Sequence, residues 1–238
     1  MDRYKNLHLW MIIPFVIVQI GIFNFYWTSV SSKTWEIHFH YWLVTFWYLL
    51  VIVQPYLAVN GKIVNHRTLG IFGFLLAGGV IFTGLSILDI PLKLAAAYDP
   101  GKPGPPVSFY YGTLVVELIS MIAFAYAVTK SILNRHDVKE HSWWLVCSVF
   151  YMMAPALGRG MILFWRTILP PEDFNPILVL ISTELVYLPL LLIFAAKFGK
   201  IKHQALVIGI LLIVIRFLRL PIGSSETLQD FLKMVILW

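Results

Sequence analysis

The chain is a succession of apolar segments, each about as long as a lipid bilayer is thick. A helix that crosses the hydrocarbon needs about 20 mostly apolar residues, each adding about 1.5 Å. Seven stretches meet or approach that length, at about 9–29, 40–60, 69–90, 109–129, 143–165, 177–196 and 204–221. Arg216 and Arg219 fall at the end of the last one, where long cationic side chains can snorkel to the interface. Charged residues make up 13% of the 238 positions and hydrophobic ones 59%. A soluble domain carries roughly 25% charged residues, so this surface has too few ions to face water. A cytosolic globular enzyme, a disordered chain and a nucleic-acid binder are excluded, the last despite a net charge of +6. The lone Cys147 leaves no disulfide framework and no cysteine-based zinc site within the chain.

The expected fold is therefore all-α, a polytopic helix bundle in contact with a lipid bilayer. Residues 1–221 make a seven-helix transmembrane domain. Residues 222–238 make a short amphipathic helix on the interface, with Leu228, Phe231, Leu232 and Val235 recurring at helical spacing. The first span follows Met1-Asp-Arg-Tyr-Lys, but no small-residue cleavage site follows it, so it reads as a retained anchor. The stretch Tyr98-Asp-Pro-Gly-Lys-Pro-Gly-Pro-Pro-Val107 cannot be helical and reads as a stiff connector or a lid.

Loop cations set the orientation. Side A, which holds the N-terminus, has Arg3, Lys5, Lys62, Arg67, Lys130, Arg135, Lys139, Lys197, Lys200 and Lys202. Side B has Lys33, Lys93, Lys102, Arg166, Arg216, Arg219 and Lys233. The expectation is N-terminus in and C-terminus out, in a bacterial inner membrane.

Three ionisable residues fall inside the spans: Glu117, Arg159 and Glu184. A charge at the bilayer centre costs roughly 2.5–3.5 kcal/mol on insertion scales, so such groups pair or line a wet cavity. Helical rise puts Glu117 roughly 12 Å below Phe109 and Glu184 roughly 10 Å below Ile177. Arg159 falls roughly 10 Å short of Arg166 by the same rise. Three helices thus bring charge to one level in the outer half. Tyr187 shares a face with Glu184, His40 stands at the mouth, and Gln54 lies deeper on the second span. One Arg facing two carboxylates leaves a negative charge over, for a shared proton or a cation.

Three functional readings follow. The first is a polar cavity of Glu117, Arg159, Glu184, His40, Gln54 and Tyr187 that binds a small polar ligand or ion, or relays protons. The second is a redox protein holding haem b or a divalent metal through His66 and His141, with His136 and Asp137 near them. The third is a non-catalytic subunit whose charges dock a partner membrane subunit.

The segments His40-Tyr-Trp, Gln54-Pro-Tyr-Leu, Gly61 and His66-Arg-Thr-Leu-Gly70 precede His141-Ser-Trp-Trp and Pro155-Ala-Leu-Gly-Arg159. Together they resemble a group of uncharacterised bacterial integral membrane proteins, across about half the chain. The resemblance implies a multi-helix membrane fold and points to His40, Gln54, His66, Arg67, His141 and Arg159. The His-Arg-x-Leu-Gly segment is also similar, more weakly, to membrane haem proteins of the cytochrome b561 and ferric-reductase type. Those proteins carry further haem-ligating histidines inside their spans; the seven here stand near helix ends.

Overall fold

The computed structural model describes residues 2–101 and 104–236. Lys102 and Pro103 of the proline-rich stretch, Met1, and the last two residues of the 222–238 segment lie outside the described residues. Every long element is a helix, and no strand occurs among the described residues. In chain order these are α1 (Leu7–Trp10), α2 (Ile12–Ile22), α3 (Trp35–Val59), α4 (Ile63–Ser86) and α5 (Asp89–Ala96). Then come α6 (Val107–Leu133), α7 (Val138–Ile168), α8 (Pro176–Phe198), α9 (Gln204–Phe217), α10 (Arg219–Gly223) and α11 (Glu226–Ile236).

Five of the expected spans are long and apolar enough to cross a membrane: Trp35–Val59, Ile63–Ala96, Val107–Leu133, Val138–Ile168 and Pro176–Phe198. The first and last expected spans are shorter apolar helices, Leu7–Ile22 and Gln204–Phe217. Each shortening has a local cause. After Ile22 the Thr28 and Ser29 hydroxyls bond back to the Asn24 and Phe25 carbonyls, competing with the helical ladder. Trp27 folds over to donate its indole N–H to Gln19. At the other end, Pro221 has no N–H for the Phe217 carbonyl, and the chain turns from α9 into α10.

Several starts are capped. Asp137 accepts from the Lys139 and Glu140 amides ahead of α7, which holds its carboxyl below the ordinary aspartate range. Asn175 accepts from Ile177 ahead of α8, and Pro176 occupies the first helical position. Arg3 closes the far end of α8 by donating to the Ala196, Lys197 and Gly199 carbonyls.

Helix α7 is the axis of the bundle, packing against α2, α3, α6, α8 and α9. Its buried face runs through Trp143, Trp144, Cys147, Phe150, Tyr151 and Met153. Tyr48 donates to the Val149 carbonyl and Tyr151 to the Ala205 carbonyl, so even its aromatic neighbours are tied by hydrogen bonds. The outward faces stay apolar, with Ile71, Phe72, Leu75 and Phe82 on α4 more than half exposed. Contiguous exposure of that kind belongs against lipid or a partner.

Two contacts bring backbones together through small residues. A Cβ on Gly21 would collide with the Ala156 carbonyl, and one on Gly160 would stand 3.1 Å from the Gly21 Cα, so α2 lies directly on α7. On side B, Gly112 faces the Arg219 carbonyl and Gly223 the Ser108 carbonyl with no room for a methyl group, seating α10 on α6. Small residues at such crossings let helix axes approach closely. Nearby, Leu232 of α11 packs with Leu92, Ala95, Tyr111 and Leu114 in a second, smaller core, while Phe231, Met234 and Val235 face outward.

Gly21→Ala and Gly112→Ala should each lower the thermal stability of the detergent-purified protein. Gly78→Ala, whose Cβ meets nothing within 4 Å, should leave it unchanged or raise it, because alanine is the better helix former. The Asp137 cap, with its lowered carboxyl, contributes above the ordinary aspartate range and is lost as pH falls through that lowered value. Unfolding curves of Asp137→Ala and the wild type should therefore differ at neutral pH and converge in acid.

Candidate functional site

The expected convergence of charge occurs, and with more members than expected. Glu184 on α8 does not meet Arg159. It forms a fork-to-fork bridge with Arg216 of α9, with Nε to Oε1 at 2.5 Å and Nη2 to Oε2 at 2.9 Å. Both side chains are inside the protein, Arg216 at 2% and Glu184 at 5% exposure. Arg216 also lies over the Tyr187 ring at 4.4 Å. The expectation that Arg216 reaches out to the interface is thus corrected: it turns inward because a carboxylate and an aromatic face receive it there. Bidentate geometry of this kind is what compensates a guanidinium taken out of water.

Arg219, expected beside Arg216 at the interface, is placed by the α10–α6 glycine contact instead. Its guanidinium stands 4.9 Å over the Phe109 ring, and its Nε is buried without a hydrogen-bond partner. Glu117 of α6 lies within electrostatic reach of both Arg219 and Arg159. His40 and Tyr41 of α3 are also within reach of Arg159. Arg159 rests over the Phe25 ring at 4.9 Å. Neither Glu117 nor Arg159 makes a hydrogen bond or an ion pair within 4 Å among the described residues, and both are half-buried.

His40 is oriented from α4. The Thr83 hydroxyl gives its proton to the Gly79 carbonyl at 2.8 Å, so it accepts from His40 Nδ1 at 3.3 Å. The Nε2 lone pair of His40 is thereby left free. The charge balance is the reverse of the sequence expectation. Three guanidiniums (Arg159, Arg216 and Arg219) face two carboxylates (Glu117 and Glu184), leaving one positive charge in excess with both acids ionised.

Gln54 is not part of this cluster. It sits on α3 near side A, about 21 Å along the helix from His40, and donates its amide to the His66 carbonyl at 3.2 Å. His66 and His141 do approach each other, with ring centroids 6.2 Å apart. His136 is exposed on the α6–α7 turn, Asp137 is the α7 cap, and no group of three or more metal-type ligands occurs among the described residues. His203 caps α9 by accepting the Ala205 amide at Nδ1, so its proton lies on Nε2 and is donated to Glu140 at 2.7 Å.

Comparison with protein-family models, with curated proteins and with solved structures found no match.

Removing either partner of the Glu184–Arg216 bridge alone should be costly, because the other charge is left buried. Glu184→Ala or Arg216→Ala is expected to lose about 3–5 kcal/mol in denaturant unfolding in detergent. The paired change Glu184→Leu with Arg216→Met should recover most of that loss.

Proposed function

We propose that the chain is a multi-pass membrane protein that binds a small anionic or zwitterionic solute in the side-B half of its bundle. The observation that carries this reading is the contrast between two pairs of opposite charges at the same level. Glu184 and Arg216 neutralise each other through two hydrogen bonds, which leave only Arg216 Nη1 as a buried donor without a partner. Glu117 and Arg159 face the same region with no partner within ion-pair distance. Holding such charges in a low-dielectric bundle costs free energy that a structural bridge would have offset. A bound solute offsets it instead.

Arg159 holds the anionic group, with Arg219 supplying a second positive field. Glu117 is the acid free to take a proton or to receive a cationic group of the same solute. His40, its Nε2 without a hydrogen-bond partner, stands on the side-B end of α3. Seven apolar helices, the first and last of them shorter than the other five, make up the bundle with the N-terminus inside, so the site opens to the outside. It lies in the leaflet half that the loop cations assign to the periplasm.

The test uses full-length protein in detergent and a panel of small carboxylates, inorganic phosphate and amino acids. At least one compound should raise the melting temperature of the wild type in a concentration-dependent way. That shift should vanish in Arg159→Ala and change its pH dependence in Glu117→Gln. A folded Arg159→Ala protein stabilised as well as the wild type would overturn the reading, and so would a wild type that no compound stabilises.

A further inference from the structure

We propose that His66 and His141 form a two-histidine site for a late first-row transition-metal ion at the side-A end of the bundle. This site is separate from the side-B cluster and does not depend on how that cluster is read.

The argument begins with a hydrogen-bonding pattern that occurs twice. In the α3–α4 hairpin, His66 Nδ1 contacts the Gln54 carbonyl at 3.3 Å, and Gln54 Nε2 donates back to the His66 carbonyl at 3.2 Å. In the α6–α7 hairpin, His141 Nδ1 lies 2.9 Å from the Ser131 carbonyl and 2.8 Å from Ser131 Oγ; that hydroxyl gives its proton to the His141 carbonyl at 3.0 Å and so accepts from Nδ1. In each case a residue near the end of one helix and a histidine in the first turn of the next clasp each other reciprocally.

A carbonyl oxygen only accepts, so Nδ1 carries the proton in both rings and the lone pair is left on Nε2. Neither Nε2 has a hydrogen-bond partner among the described residues. This is the arrangement by which metal-binding histidines are oriented, the second nitrogen being held by a carbonyl or carboxylate behind it. The two clasps bring the rings to a centroid separation of 6.2 Å with their planes at 84°. A metal–nitrogen bond of about 2.0–2.1 Å on each side sets two imidazoles on opposite sides of one ion at about that separation. The observed ring separation matches that span. Gln54, whose side chain holds the His66 carbonyl, is 5% exposed, and its Oε1 is buried with no partner.

The chemistry of the ion follows from the donors. Imidazole nitrogens suit zinc, copper, nickel and iron. Structural zinc requires four ligands in a tetrahedron, which two histidines and an amide do not supply. Copper stands highest in the affinity order for nitrogen donors and is the ion we assign. By joining the α3–α4 hairpin to the α6–α7 hairpin, it adds a second tie to the Tyr48–Val149 hydrogen bond between them.

The full chain, stripped with a chelator in detergent, is to be loaded with Cu(II) alone. The wild type should retain one ion per chain, with an electron paramagnetic resonance signal split by two nitrogens. His66→Asn and His141→Asn each keep an amide donor for the carbonyl behind, so the hairpins stay folded, and each should lose the ion and the splitting. His136→Asn should keep both. The proposal is overturned if the wild type holds no more copper than a variant carrying both His66→Asn and His141→Asn. It is equally overturned if either single variant retains the two-nitrogen signal, or if His136→Asn abolishes it.

Discussion

The buried bridge between Glu184 and Arg216 is the interaction on which the side-B half of the molecule depends. It joins α8 to α9 where no loop connects them, and it fixes the rotation of α9 so that Arg216 points inward. The turn into α10 then has one direction left, back onto α6, where Gly112 and Gly223 admit the backbone. That seating delivers Arg219 to the vicinity of Glu117. A single pairing of charges in a medium of low dielectric thus positions two further ionisable groups. The cost of burying the pair is offset by its two hydrogen bonds and by the Tyr187 face beneath the guanidinium.

How much of this could be seen in the sequence depends on the direction in which the information runs. Hydropathy reports position along a helix axis, and so all seven apolar segments are legible in the sequence, but the shortness of the first and last is not, because local turns set it. Axial rise likewise put Glu117, Arg159 and Glu184 at one height. Lateral arrangement leaves no such trace. Nothing in the spacing distinguishes Arg159 from Arg216 as the partner of Glu184, because that choice is made by helix rotation and by a turn at Pro221. Arg216 and Arg219 stand three apart in an otherwise apolar stretch, and this could have marked them as an inward-facing pair rather than interfacial anchors.

The side-A clasps were hidden for a different reason. One is built from Gln54 and His66, the other from Ser131 and His141, with different residue types and different separations. A search for repeated sequence passes over them because what repeats is the pattern of donors and acceptors. Gln54 was legible as a polar residue within a span but was assigned to the wrong neighbours. Its amide serves a main-chain carbonyl one hairpin turn away, while the charged groups lie at the opposite end of α3.

The glycine seam between α2 and α7 has a mechanical consequence. Where main chains touch at Gly21, Ala156 and Gly160, neither helix can slide or roll without steric collision. Within the α3–α4 hairpin, by contrast, Gly73 and Gly79 face the side-chain ends of Leu50 and Leu43, and Gly84 faces Met121 of α6. Contacts made by main chain leave no rotamer to adjust, so the α2–α7 crossing is keyed rigidly, whereas the α3–α4 pair keeps side chains that can reorient.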